Sequence, residues 1–279
     1  MGEKERKVVD WMDTDFLERE SDAVKGENGK VGVLGGNKKY ISTPTIVGIG
    51  ASRSGSDLVK IISNRDSNRA AAFSQKSFLT ADIGSFSMEN LDDILAEVEG
   101  CTSIVVGNGT TKDEDIRETL LEVLKRTEMP AVIDADMLVQ DLTKIDFSDR
   151  KVVLTPHEKE FERLYEKVEG YLAAIKEKVK KAARIYDATV VLKRDYDIIS
   201  DGNTVFTNFT GTPHLAKGGT GDILAGMTGY LVSKTKPLKA CCLATYVLGK
   251  AGEKVHQVKG PGFNLEELGE QVSVQMKEF

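Results

Sequence analysis

The sequence has few cysteines, no long apolar run and no excess of positive charge, and each shortage excludes a class of protein. Its three cysteines, Cys101, Cys241 and Cys242, are odd in number and two are adjacent, which argues against a disulfide framework. Their spacing does not match a metal site either. We therefore expect the cysteines to be reduced and buried.

Membrane and secretory classes are excluded by similar absences. No segment approaches the roughly eighteen consecutive apolar residues of a membrane helix, and the N-terminal sequence MGEKERK lacks the apolar run of a signal peptide. The net charge is −6, with 38 lysines and arginines against 44 aspartates and glutamates. This balance gives no general attraction for nucleic acid or an anionic membrane, so an anionic substrate needs a local positive site. We expect a cytoplasmic protein without nucleic-acid or membrane partners.

Domain linkers, internal repeats and low-complexity tracts are also missing from the sequence. A chain of 279 residues can bury a sizeable core, and one α/β domain of this length is ordinary. We therefore predict a single domain over residues 1–279, in which the charged and poorly patterned residues 1–29 form a peripheral N-terminal arm.

What the sequence does contain is a regular alternation of apolar runs and helical patterns. Apolar runs of strand length begin at six places, namely Val31, Leu58, Ser103, Ala131, Val152 and Thr189. Helical spacing occupies most of the intervals between them and returns at 239–258. Residues 197–200 and 204–207 flank Asp201-Gly202-Asn203 and predict an antiparallel hairpin. The alternation predicts an α/β fold with a mostly parallel sheet and helices on both faces.

The carboxyl ends of the predicted strands carry glycine or polar residues. These ends are Gly35-Gly36-Asn37, Gly107-Asn108-Gly109, Asp134-Ala135-Asp136, Thr155-Pro156-His157 and Lys193. In sheets of this kind ligands bind outside the carboxyl ends of the strands, so we expect the functional site at this edge.

The most informative stretch is NFTGTPHLAKGGTGDILAG at 208–226. A glycine cluster that ends in Thr220-Gly221-Asp222 opens an apolar helical segment, so backbone N–H groups and a helix N-terminus point at one place, which suits an anion. Asp222 is predicted to take a proton from a substrate hydroxyl, while the N–H groups of Gly219 to Gly221 hold the phosphoryl group being transferred. This arrangement predicts a small-molecule kinase or a kinase-like enzyme.

An alternative interpretation is that Asp222 only caps a helix, because aspartate is a good capping residue and glycine is common in turns. The small Ala225 and Gly226 favour the catalytic interpretation, because a helix that starts against a ligand must allow close backbone approach. We therefore favour Asp222 as the catalytic base.

Five motifs in the same order resemble the NAD(P)H-hydrate dehydratases, a ribokinase-like family. Beside the run at 208–226 they are VGVLGGNKKY at 31–40, GNG at 107–109, VIDAD at 132–136 and LTPHEKEF at 154–161. The resemblance covers 25–257. The chain departs from the family pattern at Thr43, where alanine is usual, at Asn108, where proline is usual, and at Val24, where histidine is usual. Residues 193–197, KRDYD, lack the usual glycine-containing nucleotide loop, which leaves the choice of phosphate donor open.

The resemblance implies a fold, an activity and a set of site residues. The fold would be a ribokinase-like three-layer α/β/α sandwich, and the activity would be dehydration of hydrated NADH or NADPH with ADP or ATP as phosphate donor and Mg²⁺. Four residues would lie near the hydrate: Thr43, Gly109, His157 and Asp222. Three would lie near the nucleotide: Lys193, Thr220 and Gly221. Relatives also imply a homo-oligomer, with a tetramer expected, and a separate epimerase polypeptide, because the chain lacks the second, N-terminal Rossmann-like module of some relatives.

Several of these residues also have structural interpretations. His157 could simply begin a helix, and HEKEF at 157–161 is not a zinc motif, because Phe161 occupies the second histidine position. Glu160 could be a surface helix residue or could orient the nucleotide's Mg²⁺ through water. Lys193 could be a surface lysine or could pair with nucleotide phosphate. The carboxylates of VIDAD could end a strand and cap a helix, or could help to place Mg²⁺.

Two other functions are open at this point. A kinase for a vitamin precursor, such as hydroxyethylthiazole or hydroxymethylpyrimidine, would keep Asp222 and the anion-binding glycines but would stop at the phosphate ester. A non-catalytic protein that senses nucleotides is a further possibility, although a sensor gains nothing from a buried base. The Thr-Pro-His segment and the run at 208–213 favour the dehydratase.

Overall fold

The computed structural model describes residues 14–18 and 22–279, which contain a nine-stranded sheet. Its strands are β1 (Lys30–Leu34), β2 (Leu58–Ser63), β3 (Leu79–Asp82), β4 (Ser103–Val106), β5 (Ala131–Ile133), β6 (Val152–Leu154), β7 (Thr189–Leu192), β8 (Asp197–Ser200) and β9 (Val205–Asn208). They lie in the order β3-β2-β1-β4-β5-β6-β7-β8-β9. Every neighbouring pair is parallel except β7–β8 and β8–β9, which are antiparallel. The predicted mostly parallel sheet and the predicted hairpin are both confirmed.

The inner strands consist of consecutive apolar residues because the sheet is covered on both faces. Side chains alternate between the faces, so Val105 joins one core cluster while its neighbours Ile104 and Val106 join the other. The same alternation separates Ile61 from Ile62. Strands buried on both sides read as near-continuous β-branched runs, as is typical of parallel sheets.

The helices form the two outer layers. They are α1 (Thr43–Arg53), α2 (Arg65–Ser74), α3 (Leu91–Val98), α4 (Glu114–Arg126), α5 (Glu158–Leu164), α6 (Leu172–Ile185), α7 (Thr220–Lys234), α8 (Pro237–Lys259) and α9 (Leu265–Met276). Helices α1, α2, α7, α8 and α9 cover one face, and α3 to α6 cover the other. This is the predicted three-layer sandwich. Among the described helices, none is long and apolar enough to cross a membrane.

The predicted N-terminal arm at 1–29 lies mostly outside the described residues. The described part contains a short 3-10 turn at Asp15–Leu17, whose Phe16 and Leu17 pack against the core on the α7 side. Residues 22–29 then lead into β1. The assignment of 1–279 to a single domain stays a prediction.

Gly226 lies where α7 crosses α1, and this contact explains why a small residue occurs there. A Cβ atom added at Gly226 would lie 1.8 Å from the backbone oxygen of Val47 on α1. The reason proposed from the sequence, close approach to a ligand, was therefore wrong for this residue, since it is another helix that approaches.

We expect Gly226→Ala to destabilise the protein, because the two helix backbones must move apart to accept the methyl group. Overpacking of this kind lowers the free energy of unfolding by about 1–3 kcal/mol. The shift in the midpoint of urea unfolding measures this loss of stability. Gly262→Ala is the matched control, because a Cβ atom there would meet no atom within 4 Å; an equal loss in both variants would contradict the packing explanation.

Candidate active site

The site lies where the order of the strands reverses. After β1 the chain runs outward through β2 and β3, and it then returns to place β4 on the other side of β1. A crevice forms outside the carboxyl ends of two strands related in this way. Gly35 follows β1 and Gly107 follows β4, and the two turns are joined by a hydrogen bond of 2.9 Å from the Gly36 N–H to the Asn108 carbonyl. The predicted edge of the sheet thus carries the crevice.

The N-terminus of α7 points into this crevice. Gly219 is its N-cap and has φ +96°, a conformation that a residue with a side chain rarely adopts. The Thr220 N–H donates to the Lys217 carbonyl at 3.2 Å, whereas the N–H groups of Gly221 and Asp222 belong to the helix start, where no intrahelical acceptor exists. The Thr220 hydroxyl is buried and has no hydrogen-bond partner among the described residues. These donors suit an anionic ligand.

A chain of polar contacts connects Lys193 to Asp222. Lys193 follows β7, and its Nζ lies 2.9 Å from Oδ1 of the buried Asp134 at the end of β5. The Asn108 amide donates to Asp134 Oδ2 at 2.8 Å and to Asp222 Oδ1 at 2.7 Å. The Lys193 ammonium is also close to the first turn of α7, since a Cβ atom at Gly221 would lie 3.3 Å from Nζ. The cation and the proposed base therefore belong to one network.

The pKa of Asp222 is raised to about 7 in this environment. Burial is the main cause, and the nearby charges of Asp134 and Glu160 add to it, whereas the Asn108 hydrogen bond and Lys193 lower the pKa. A carboxyl that titrates near neutral pH can accept a proton from a substrate and release it again. For Lys193, burial alone would lower the pKa, but Asp134 and Glu160 raise it overall.

Glu160 and His157 form a capping box at the start of α5. The Glu160 carboxylate accepts from the His157 N–H at 2.8 Å, and the Glu160 N–H donates to His157 Nδ1 at 3.3 Å. Burial is the first cause that raises the pKa of Glu160, and Asp134 adds to it, although Lys193 opposes them. Within the described ranges no group of three or more histidine, cysteine, aspartate or glutamate side chains could hold a metal. His157 is the N-cap of α5 through both its N–H and its ring Nδ1, as the helix-entry interpretation predicted.

Thr43 and Gly109 meet on the other side of the crevice. Thr43 is the first residue of α1, and Gly109 has φ +72° directly beside it, so that a Cβ atom at Gly109 would lie 2.8 Å from Thr43 Cβ. The loop that leads to Thr43 is fastened to the same turn, because the Asn37 amide donates to the Thr110 carbonyl. Two of the four residues predicted near the hydrate, Thr43 and Gly109, thus lie together, next to the turn that carries Asn108.

A cleft of about 670 Å³ opens on the Lys193 side of α7. Its wall includes the β7–β8 loop, the segment after β9, the start of α7 and one face of α8; predicted site residues in it are His157, Lys193, Thr220 and Gly221. His157, predicted near the hydrate, therefore shares this cleft with the predicted nucleotide residues. Asp197 lies in the same wall and accepts from the Asn208 amide at 3.1 Å. Burial raises the pKa of Asp197 to about 6, although the Asn208 hydrogen bond opposes it.

Two of these residues, Asn108 and Asp197, were given no role in the site from the sequence. Asn108 was placed at a strand end of the expected site and noted as a departure from the family pattern, but no contact or role was predicted for its side chain. Asp197 pairs with Asn208 across the β8–β9 hairpin, in a register that places these two residues opposite each other. The sequence predicted the hairpin but not this pairing.

The sequence comparisons point to one family. A family model described as NAD(P)H-hydrate dehydratase matches residues 31–273. The ADP-dependent (S)-NAD(P)H-hydrate dehydratase of Cenarchaeum symbiosum is 32% identical over 270 residues, covering 94% of this chain and 93% of that protein. The bifunctional NAD(P)H-hydrate repair enzyme Nnr of Hyperthermus butylicus is 31% identical over 264 residues, covering 90% of this chain and 49% of that protein. The chain spans about half the length of the bifunctional relatives that it matches.

The fold has a close counterpart among solved structures. The ADP/ATP-dependent NAD(P)H-hydrate dehydratase of Bacillus subtilis, co-crystallised with ATP and Mg²⁺, superposes with a TM-score of 0.81 at 24% identity, covering 96% of this chain and 97% of that one. At this level of identity the likeness shows the fold. The predicted ribokinase-like sandwich is confirmed.

Proposed function

Since the chain belongs to the NAD(P)H-hydrate dehydratase family, we propose that it restores NADH and NADPH from their hydrated forms in a nucleotide-dependent dehydration. The observation that carries the proposal is the position of Asp222. This carboxylate lies in the first turn of α7, where the N–H groups of Gly221 and Asp222 lack intrahelical acceptors, its pKa is raised to about 7, and the Lys193 ammonium is close to the same turn. A base next to an anion site is what phosphoryl transfer to a hydroxyl requires.

Phosphorylation solves a leaving-group problem. Hydroxide leaves a carbon atom poorly, whereas phosphate leaves well. Asp222 accepts the proton of the ring hydroxyl while the hydroxyl oxygen forms a bond to the terminal phosphorus of the donor. The bond between that phosphorus and the rest of the nucleotide breaks in the same step. The carbon–oxygen bond then breaks with its electron pair going to phosphate, pushed by the lone pair of the ring nitrogen. Loss of a proton from the adjacent ring carbon completes the dihydropyridine.

The chain's own residues divide into two groups around Asp222. We assign Thr43 and Gly109 to the hydrated nicotinamide, because they flank the crevice on the β1–β4 side. We assign Lys193, Thr220 and Gly221 to the phosphates of the nucleotide, with Gly219 allowing the backbone turn that exposes the N–H groups. His157 lies at the junction, in the wall of the nucleotide cleft.

We propose ADP or ATP as the phosphate donor, accompanied by Mg²⁺. The chemistry of the residues fits a cation bound mainly by phosphate oxygens and water, which is how Mg²⁺ commonly binds beside a nucleotide. Glu160 is the carboxylate we assign to orienting that ion through water. Its oxygens already contact His157, so we expect it to act through water and not as a direct ligand.

The pH dependence of kcat/KM should report Asp222. The base works only when it has lost its proton, and its pKa is about 7. We therefore expect kcat/KM to fall about tenfold per pH unit below this pKa and to level off above it. A pH profile of kcat/KM for the hydrate, measured at hydrate concentrations well below KM, gives this acidic limb. A profile that is flat between pH 5 and about 8, with intact protein, would contradict the assignment of Asp222.

The balance of phosphate tests the function itself. Purified protein is supplied with hydrated NADH, Mg²⁺ and either ADP or ATP, and three quantities are measured: donor consumed, inorganic phosphate released and dihydronicotinamide formed. The proposal predicts equal amounts of all three. Donor consumed with a stable phosphate ester of a thiazole or pyrimidine alcohol, and no reaction with the hydrate, would favour the vitamin-precursor kinase instead.

We further propose that the protein acts in the cytoplasm as a homo-oligomer, with a tetramer as the specific expectation, and that any epimerisation of the hydrate is done outside this domain. Its three buried cysteines are free thiols, as is usual in a reducing compartment.

Phe73 is 93% exposed and Leu79 on the edge strand β3 is 41% exposed, which is apolar surface that a second copy would bury. Light scattering on the purified protein tests the oligomeric state, and a monomer would contradict it.

A further inference from the structure

Asn108 occupies a position between two carboxylates. Its Nδ2 atom donates one hydrogen to Asp134 Oδ2 at 2.8 Å and the other to Asp222 Oδ1 at 2.7 Å, and its side chain is 1% exposed. We propose that Asn108 is a positioning residue for Asp222, which orients the carboxylate that takes the hydroxyl proton and stabilises its ionised form. The proposal rests on the function proposed above, since it assigns a role within the same site.

Asn108 is held in place through both its backbone and its side chain, so its side-chain amide can orient Asp222. Its backbone carbonyl accepts from the Gly36 N–H at 2.9 Å, which ties the turn after β4 to the turn after β1. On the side-chain side, Asp134 is held by the Lys193 ammonium at 2.9 Å. Asp222 is the remaining contact of the amide, and it comes from a different layer, the first turn of α7. Asn108 therefore joins α7 to the sheet edge at the reacting carboxylate.

The carbonyl oxygen of the Asn108 side chain indicates that this residue does more than fill space. Asn108 Oδ1 is buried and has no hydrogen-bond partner in the part of the chain that the structure describes. An unpaired buried carbonyl opposes folding, so a residue that served packing alone would be better replaced by an apolar one. The two donor contacts to carboxylates are what an apolar residue of the same shape could not supply.

Charged groups from several elements face Asp222, whereas Asn108 is a neutral hydrogen-bond donor. Asp134 at the end of β5 and Glu160 on α5 disfavour the ionised carboxylate, as does burial, whereas Lys193 after β7 favours it. Asn108 also lowers the pKa of Asp222, but it is a neutral donor. It can hold the proton-accepting form without adding a charge that would compete for the phosphoryl group.

The test replaces Asn108 by leucine, which has a similar shape and no donor. Removing the hydrogen bond should raise the pKa of Asp222, so the acidic limb of the kcat/KM profile should move up by about one pH unit, since a hydrogen bond to a charged group is worth about that much. The high-pH plateau should also fall, because the carboxylate is no longer oriented. Carboxyl NMR of ¹³C-labelled aspartate, with the Asp222 resonance assigned from Asp222→Asn, gives the same pKa without any turnover.

Asn68→Leu is the matched control. Asn68 is also buried, donates twice from one amide, to the carbonyls of Ser63 at 2.9 Å and Ala81 at 2.7 Å, and has an Oδ1 atom without a partner among the described residues. Its acceptors are not in the site. We expect Asn68→Leu to lower stability and to leave both the acidic limb and the Asp222 resonance unchanged.

The outcomes separate this proposal from the function on which it rests. If Asp222→Asn abolishes turnover while Asn108→Leu keeps the wild-type limb and resonance, Asn108 is only structural and the positioning role is overturned. If Asp222→Asn turns over normally, the proposed base itself fails. Should Asn108→Leu not fold, Asn108→Ala serves instead: it is smaller, has no side-chain donor, and must also shift the limb upward.

Discussion

Replacing Asp222 with asparagine is expected to lower kcat by about a hundredfold or more and to leave donor binding nearly unchanged. Asparagine has the same shape as aspartate but cannot accept the hydroxyl proton. The contacts assigned to the donor belong to other residues, namely Lys193, Thr220 and Gly221. Steady-state kinetics gives kcat, and calorimetric titration with the nucleotide gives the affinity.

The same substitution should change stability in a pH-dependent way. The pKa of Asp222 is raised from its ordinary 3.8 to about 7, so folding favours the neutral carboxyl and the protein loses stability as pH rises through that folded value. Asp222→Asn should therefore raise the melting temperature at pH 8 more than at pH 5. Asp66→Asn is the control, because Asp66 lies in the first turn of α2 and outside the site. This variant should not raise the melting temperature at either pH. Near-normal turnover in Asp222→Asn would remove this residue from the mechanism.

Lys193→Met should have the second largest effect, on stability and on donor binding together. The ammonium is the partner of Asp134, whose side chain is 4% exposed, so its removal leaves a buried carboxylate without a counter-charge. Breaking such a pair costs roughly 3 kcal/mol of unfolding free energy. Loss of a charged contact to the phosphates should raise the donor KM by about tenfold or more. Denaturant unfolding and donor kinetics measure the two effects separately.

A double substitution distinguishes these two effects. Lys193→Met with Asp134→Asn removes both charges of the pair, so most of the lost stability should return, while the donor KM should stay high. A cycle of the two single variants and the double variant measures the coupling energy. If the double variant recovers donor binding as well, the ammonium acts only by neutralising Asp134 and does not contact phosphate.

The sheet could be predicted from the sequence because its inner strands are buried on both faces. The runs at 31–34, 104–106 and 152–154 contain no polar side chain, and a strand of this kind is distinct from its polar surroundings. Strand β3 and helix α2 gave no such signal. In β3 the sequence is Leu-Thr-Ala-Asp and only Ala81 is buried, since the strand lies at the edge of the sheet. Edge elements depend on tertiary contacts that a local pattern does not contain.

The candidate site shows the same division. Asp222 and the glycines before it could be identified because several special residues are adjacent in the chain and share one chemical purpose. The contacts of Asn108 could not, because its two acceptors lie 26 and 114 residues away along the sequence. The role of Gly226 was misjudged for a related reason, since its neighbour Val47 belongs to a different helix. Long-range neighbours are set by the order of the strands, which the sequence pattern left open.

The most direct test of the account is the near-ultraviolet absorbance of the dihydronicotinamide ring. The purified protein is mixed with hydrated NADH and Mg²⁺, with ADP, with ATP and with no nucleotide, and the Asp222→Asn variant is run beside it. We expect the absorbance to rise only when a nucleotide is present and Asp222 is intact. The nucleotide that gives this rise is the phosphate donor. A rise of equal rate without nucleotide, or in the Asp222→Asn variant, would contradict the account.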